Sequence, residues 1–477
     1  MNAVSTASAP GTGIPAQRID AQGRAHVDWH AIARLTLPLM ANSSLQAVIS
    51  LTDTWFVGQI STQAVAGMGS IYWFAFFFIL LAGGVGLAVQ TLVAQAEGSG
   101  RRTRASRATW IALWGTLAMF PFFVGLAYLG RYMLMPFGLG AEVERQALAF
   151  WQPRMFGAPL GVALWAVLGF FNGISRTRVT LLTTALVAIV NAALNELFIF
   201  RFHWGVAGSA WATNVSMLCG VLFGCGLFLR RDLRERYRSH LTWRPDAASI
   251  ARQFRIGLPM GFLGAADVFG LSVFQVMQVG LSDAEGAATQ IVSMLTAVAY
   301  LPGVGIALAG TTLVGQAIGA GDREWARRLG NAVIFANVAF MGLLGVLLAS
   351  LGPWIFPAFV NASDPQAARV VSLGVSILWI AAGYQTFDGL NLGSGFCLRG
   401  AGDATVPAGL ALALSWGLFL PLAHMLSFAP GQGWTNVLPQ FGFGTLGGWT
   451  AMVIYVIALG SALFLRWRSK AWQRIRL

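Results

Sequence analysis

Residues 91–100 read TLVAQAEGSG, and residues 312–321 read TLVGQAIGAG. Seven of these ten positions are identical at an offset of 221 residues. The same offset aligns Leu37-Pro38 with Leu258-Pro259, Ala66 with Ala287, Gly84 with Gly305 and Arg107 with Arg328, without a gap. A second, weaker register relates residues 173–179 to residues 400–406. Self-similarity on this scale points to duplication of one structural unit.

Composition says what that unit is made of. Of 477 residues, 56% are hydrophobic and only 10% charged, against about 25% charged in a soluble domain. A chain so poor in charge cannot cover a water-facing surface, so most of its outer face must meet lipid. The 57 glycines suit helices that pack closely without a hydrophobic drive between them. Cys219, Cys225 and Cys397 lie in apolar stretches, with neither metal-ligand nor disulfide-framework spacing. A spanning helix needs about 20 mostly apolar residues. Runs of that kind cover residues 32–57, 66–96, 108–130, 147–170, 179–200, 206–229, 256–280, 287–318, 329–352, 367–397, 406–427 and 442–465.

The expected fold is therefore all-α and membrane-integral, with twelve transmembrane helices in two six-helix bundles. Six is even, so both halves enter the membrane in one sense and are related by a pseudo-two-fold axis along the membrane normal. The chain divides into an N-terminal arm at 1–30, an N-lobe at 31–229, a basic linker at 230–255, a C-lobe at 256–465 and a basic tail at 466–477. The arm lacks the apolar core of a cleavable signal and reads as mobile, and the linker reads as a solvated connector. With the N-terminus inside, 26 of the 31 basic residues fall on the inner side, and only Arg131, Arg145, Arg154, Arg201 and Arg369 on the other. Positive charge marks the cytoplasmic side, so both termini are expected there; the family resemblance given below implies a bacterial-type inner membrane. The net charge of +13 thus reports topology; nucleic acid is not an expected partner.

Ionisable groups inside a bilayer cost about 2.5–3.5 kcal/mol on insertion scales and mark functional sites. Asn42, Gln46 and Asp53 of the first span fall within about 40° on a helix wheel and form a polar stripe. Asn191 and Asn195 of the fifth span are i and i+4 on one face. Glu196 is rotated about 100° from Asn195, toward either the cavity edge or the outer interface. Asp267 of the seventh span has Gln278 three turns away on nearly the same face, and the 221 offset pairs Asp267 with Gln46. In the tenth span Tyr384, Asp388 and Asn391 share a face, with Phe387 a further cavity candidate. Such carboxylates suit cation coupling: a desolvated Asp can carry a proton, and clustered oxygens can hold Na⁺. No phosphate-binding loop is present, the only lysine is Lys470, and the five histidines are scattered, so ATP hydrolysis and other catalysis are not expected.

These residues carry a family resemblance that spans nearly the whole chain. LPLMANSSLQAVISLTDTWFVGQIS at 37–61, TLVAQAEGSG at 91–100, VNAALNELFIF at 190–200 and GVAGSAWAT at 205–213 stand in the first half. GLPMGFLGAADV at 257–268, LVGQAIGAGD at 313–322 and YQTFDGLNLGSGFCLRGAGDATVP at 384–407 stand in the second. In this order and spacing the sequence resembles the multidrug and toxic compound extrusion (MATE) family, its NorM-like branch more than its DinF-like one. The resemblance implies an antiporter, working as a monomer and without a cofactor, that exports small organic, often cationic or amphipathic compounds against inward H⁺ or Na⁺. It implies N-lobe coupling at Asp53 with Asn191; Asn195 stands where DinF-like members have a second Asp. It further implies a C-lobe cation site, with Na⁺ as one occupant, at Asp267 and Asp388. Translocation of a lipid-linked precursor is the alternative function, since flippases share a related architecture. Pro38 and Pro259 read as structural residues opening corresponding helices.

Overall fold

The computed structural model describes residues 14–135, 140–360 and 366–475. Helices α1 (Trp29–Gly58), α2 (Thr62–Gly98), α3 (Arg102–Ala118), α4 (Phe120–Leu134), α5 (Ala141–Gly173), α6 (Thr177–Asn195) and α7 (Gly205–Phe228) build the N-lobe. A short helix α8 (Arg231–Tyr237) leads to the C-lobe. That lobe holds α9 (Ala247–Val279), α10 (Asp283–Gly319), α11 (Arg323–Ile355), α12 (Ala367–Gly400), α13 (Thr405–Leu414), α14 (Leu420–Ser427) and α15 (Gly444–Arg468). Twelve spans result, because α3 with α4, and α13 with α14, each form one broken membrane helix. All but α1 are strongly apolar as well as long enough to span; α1 is 30 residues long but diluted by its polar stripe.

The duplication is visible in how helices begin. Ser61 caps α2 by accepting from the Ala64 N–H at 3.0 Å, and Ser282, at the 221 offset, caps α10 through the Glu285 N–H at 3.3 Å. The two capped helices are each 37 residues long. Pro38 and Pro259 do not open their helices. Asp28 and Asp246 cap α1 and α9 well upstream, which places both prolines inside, where each removes one backbone donor and disturbs the preceding turn. The residues around them make the crossings between lobes. A Cβ on Gly84 of α2 would lie 2.0 Å from the Gly257 carbonyl and 2.4 Å from the Gly261 nitrogen. A Cβ on Gly305 of α10 would lie 2.4 Å from the Met40 nitrogen. Helix α9 thus crosses α2 as α1 crosses α10, backbone on backbone.

At the Arg-rich end a second pair of equivalent contacts closes the seam. The Gln95 amide donates to the Gly400 carbonyl at 3.0 Å, and the Gln316 amide to the Gly173 carbonyl at 2.8 Å. Thr91 donates to the Arg399 carbonyl at 3.1 Å, and Thr312 to the Asn172 carbonyl at 3.0 Å. The donors are related by 221 residues, and the acceptors by the second register. Each lobe therefore satisfies the orphan carbonyls at a helix C-terminus of the other. Beside them a Cβ on Gly98 would meet the Gln316 carbonyl oxygen at 1.9 Å, and one on Gly319 the Gln95 oxygen at 2.2 Å.

The arm and linker are more ordered than the sequence suggested. Residues 17–19 and 25–27 pair as an antiparallel ribbon, turned by Asp20, whose carboxylate accepts from the Gln22 and Arg24 N–H groups at 2.8 Å. The indole of Trp325 on α11 donates to the Pro15 carbonyl at 2.9 Å, so the arm docks on the C-lobe. Residues 1–13 lie outside the described part. The linker is mostly exposed, as a solvated connector should be, but it is pinned to the N-lobe at Leu233, Tyr237 and Ser239, which are buried. Tyr237 and Arg236 both bond Glu97, at 2.8 and 2.9 Å, and Trp110 donates to the Ser239 carbonyl at 2.7 Å. In the tail, Trp472 stacks on Trp467, both buried.

Candidate functional site

Near the end of α1, Asp53 faces α6 and α7. The Asn195 amide donates to its Oδ1 at 2.7 Å and the Thr213 hydroxyl to its Oδ2 at 3.1 Å. Asn195 also donates to the Asn191 carbonyl and side-chain oxygens at 3.1 and 3.2 Å, and Asn191 donates to Thr213 at 3.4 Å. Both asparagines are fully buried, whereas Asp53 keeps partial exposure. The i, i+4 spacing on α6 thus places two amides on the face toward Asp53, Asn195 bonding the carboxylate directly and Asn191 through Thr213. Immediately after Asn195 the helix widens into a π turn, Glu196–Arg201, a distortion common at functional sites. Glu196 is exposed on that turn and does not join the cluster.

The arrangement is complete for an ionised Asp53, which accepts from two donors. One acceptor is left over: Oδ1 of Asn195 is buried without a partner. A protonated Asp53 would carry a donor of its own; turning the Asn195 amide to meet it would break that amide's bonds to Asn191.

Arg154 is a site residue that the sequence reading treated only as a loop charge. Assigned to the outer side by charge counting, it sits inside the N-lobe on α5. Its Nη1 donates to the Asn214 Oδ1 at 3.4 Å and lies 4.0 Å from the Met217 sulfur. Asn214 is oriented by its own amide, which donates to the Pro153 carbonyl at 2.6 Å. Gly157 makes room for it, since a Cβ there would fall 1.9 Å from the Asn214 side chain. Asp53 and Tyr72 are the charged or ionisable groups within electrostatic reach of the guanidinium. Thr213 and Asn214, adjacent on α7, are likewise site residues that the polar-residue survey did not single out.

In the C-lobe Asp388 is buried, accepting from Asn391 at 3.1 Å and from the Tyr384 hydroxyl at 3.4 Å. The shared face read for these three residues is real. The side chain of Asp267 lies outside the described residues, so its pairing with Asp388 stays an expectation. Gln278 is buried but donates to Ser427 at 3.3 Å, and Phe387 packs partly buried against the C-lobe core. The α1 stripe divides: Asn42 is buried with an unpartnered Oδ1, while Gln46 is exposed. Among the described residues no group of His, Cys, Asp and Glu could hold a metal as a three-ligand cluster.

Comparison with known proteins gives one answer at the level of sequence and fold. The MatE family model matches residues 38–197 and 259–425, one block in each lobe. A "Probable multidrug resistance protein NorM" of Pseudomonas aeruginosa is 30% identical over 458 residues, covering 93% of this chain and 90% of that protein. A protein of the same name from Rhizobium meliloti is 27% identical, covering 92% of each. Among solved structures, an outward-facing multidrug resistance MATE transporter of the MOP superfamily superposes with a TM-score of 0.80 at 19% identity, covering 93% of this chain and 96% of that one. A MATE crystal structure in the straight conformation gives a TM-score of 0.81 at 18% identity, with the same coverage. The family's members are transporters rather than enzymes, and with its two matched lobes, twelve spans and NorM relatives this multi-pass membrane protein belongs to the MatE family as a NorM-like multidrug efflux transporter.

Proposed function

We propose that the protein is a secondary antiporter of the cytoplasmic membrane, working as a monomer. It exports small organic cationic or amphipathic compounds in exchange for inward H⁺ or Na⁺, by alternating access between the lobes. The observation that carries this reading is Asp53: a carboxylate held by two donors from two other helices, deep in one lobe yet still accessible. Such a group can bind a proton or cation in one state and release it in another. Asp388, between Tyr384 and Asn391, offers a second cation site in the other lobe. The Arg-rich end, with the linker and both described chain ends, is taken as cytoplasmic. One positive charge moving inward through 100 mV supplies about 2.3 kcal/mol, enough for roughly a forty-fold gradient. The relatives' names favour this reading over translocation of a lipid-linked precursor.

The test is dye efflux from proteoliposomes under imposed ΔpH or Na⁺ gradients, comparing wild type with Asp53→Asn and Asp388→Asn. Wild type should export only with a gradient, and Asp53→Asn should lose the dependence. Gradient-independent export by wild type, or full coupled activity in both variants, would overturn the proposal.

A further inference from the structure

Arg154 is a guanidinium inside a membrane lobe with no carboxylate among the described residues at ion-pair distance. Among the described residues its partners are one long bond to a neutral amide and one sulfur contact, both at Nη1. Five N–H donors leave most of its capacity unused, and the residue keeps partial exposure. An arginine within a membrane span is costly and marks function, and an uncompensated charge is the dearest kind to bury. Yet the surroundings are built to hold it in place. Gly157 clears space for the Asn214 amide, the Pro153 carbonyl fixes which way that amide faces, and its oxygen is thereby aimed at the guanidinium.

The second pole stands on the next residue. Thr213 donates to Asp53, and Asn214 accepts from Arg154. Neighbours on a helix diverge by about 100°, so the anion and the cation are held on adjoining faces of α7. Among the described residues the two groups do not close into an ion pair, and each keeps partial exposure.

We propose that Arg154 is an anion-binding pole of the N-lobe substrate site. On the exporter reading above, the preferred substrates are then zwitterions, with an amine toward Asp53 and a carboxylate toward Arg154, rather than simple cations. Arg, with a planar fork of donors, suits a carboxylate in a way Lys does not.

The probes are rhodamine 110, a free carboxylic acid, and rhodamine 123, its methyl ester. Their Kd values are measured by fluorescence anisotropy on the full-length protein in nanodiscs, for wild type, Arg154→Gln and Arg154→Lys. A charge-assisted bond contributes about 1.5–3 kcal/mol, so wild type should bind the free acid about tenfold more tightly than the ester. Arg154→Gln should bring the ratio near one, and Arg154→Lys should fall between. Equal affinity of wild type for both dyes overturns the proposal without any variant. So does an unchanged ratio in a folded Arg154→Gln, judged by its melting temperature. Failure of the exporter reading looks different: neither dye would then move in response to a gradient in proteoliposomes.

Discussion

Gly98 and Gly319 offer the sharpest test of how the Arg-rich end stays shut. In the double substitution Gly98→Ala/Gly319→Ala, the new methyl groups would fall 1.9 Å from the Gln316 carbonyl oxygen and 2.2 Å from that of Gln95. Both obstacles are backbone, so no rotamer can relieve them, and α2 and α10 must part by roughly 1 Å or more to reach ordinary contact. The four bonds around them, now 2.8–3.1 Å long, would stretch to about 4 Å and cease to be hydrogen bonds. At about 1 kcal/mol each, the closed arrangement loses about 4 kcal/mol, close to a thousandfold in the ratio of closed to open. Single substitutions should give smaller, comparable shifts, because the contacts are duplicated. The assay is pulsed electron-spin distance measurement between labels at Arg101→Cys and Arg323→Cys, exposed positions flanking the two helices. Cys219, Cys225 and Cys397 would be replaced by Ala beforehand. A longer, broader distance distribution is expected in the double-Ala protein. Distributions that superimpose on wild type, in a protein of unchanged melting temperature, would refute the reasoning.

Other outcomes follow from the same contacts. Gly157→Ala should lower thermal stability in detergent by about 1–3 kcal/mol through overpacking, since its Cβ overlaps Asn214; an unchanged melting temperature would show that the Asn214 seat is slack. Asp403→Ala leaves Arg466, bonded at 2.8 Å, without its nearly buried partner. Because Arg466 is 27% exposed, the cost should be about 2 kcal/mol rather than that of a fully buried pair, read by chemical or thermal unfolding. Arg176 bonds Asp232 and holds its carboxyl below the usual value near 3.8. That contribution is therefore complete above pH 3.8 and disappears as pH falls through the lowered folded value. Wild type and Asp232→Asn should differ in stability at pH 7 and converge in acid; a gap that persists in acid would contradict the linkage.

Composition and repetition made the architecture legible, because both act over whole spans. Twelve helices, two lobes and the shared faces of Asn191 with Asn195 and of Tyr384, Asp388 and Asn391 follow from hydropathy and helical period. Depth and direction are less visible. Arg154 stands within an apolar run near its outer end, and a one-dimensional count assigns such a residue to the nearest loop. Only the packing of α5 on α7 turns it inward, although an unpaired Arg after Pro153 was a signal of cost. Pro38 and Pro259 were misread for a related reason. The apolar runs begin near them, but the helices continue outward through less apolar residues to caps at Asp28 and Asp246. The linker's anchoring escaped notice because its partners, Trp110 and Glu97, lie over a hundred residues away.

The exchange of contacts across the seam changes what the connecting loop is for. The first helix of each lobe crosses the second helix of the other lobe backbone to backbone, and the arm before α1 is fastened to α11. The linker meanwhile is fastened to the lobe it leaves, through Glu97, Trp110 and, at its far end, Arg107 with Asp246. The halves are thus clasped by their own helices rather than strung on a cord. A chain cut within residues 240–245 and produced as two fragments should reassemble into a working transporter, much as two separately encoded subunits would.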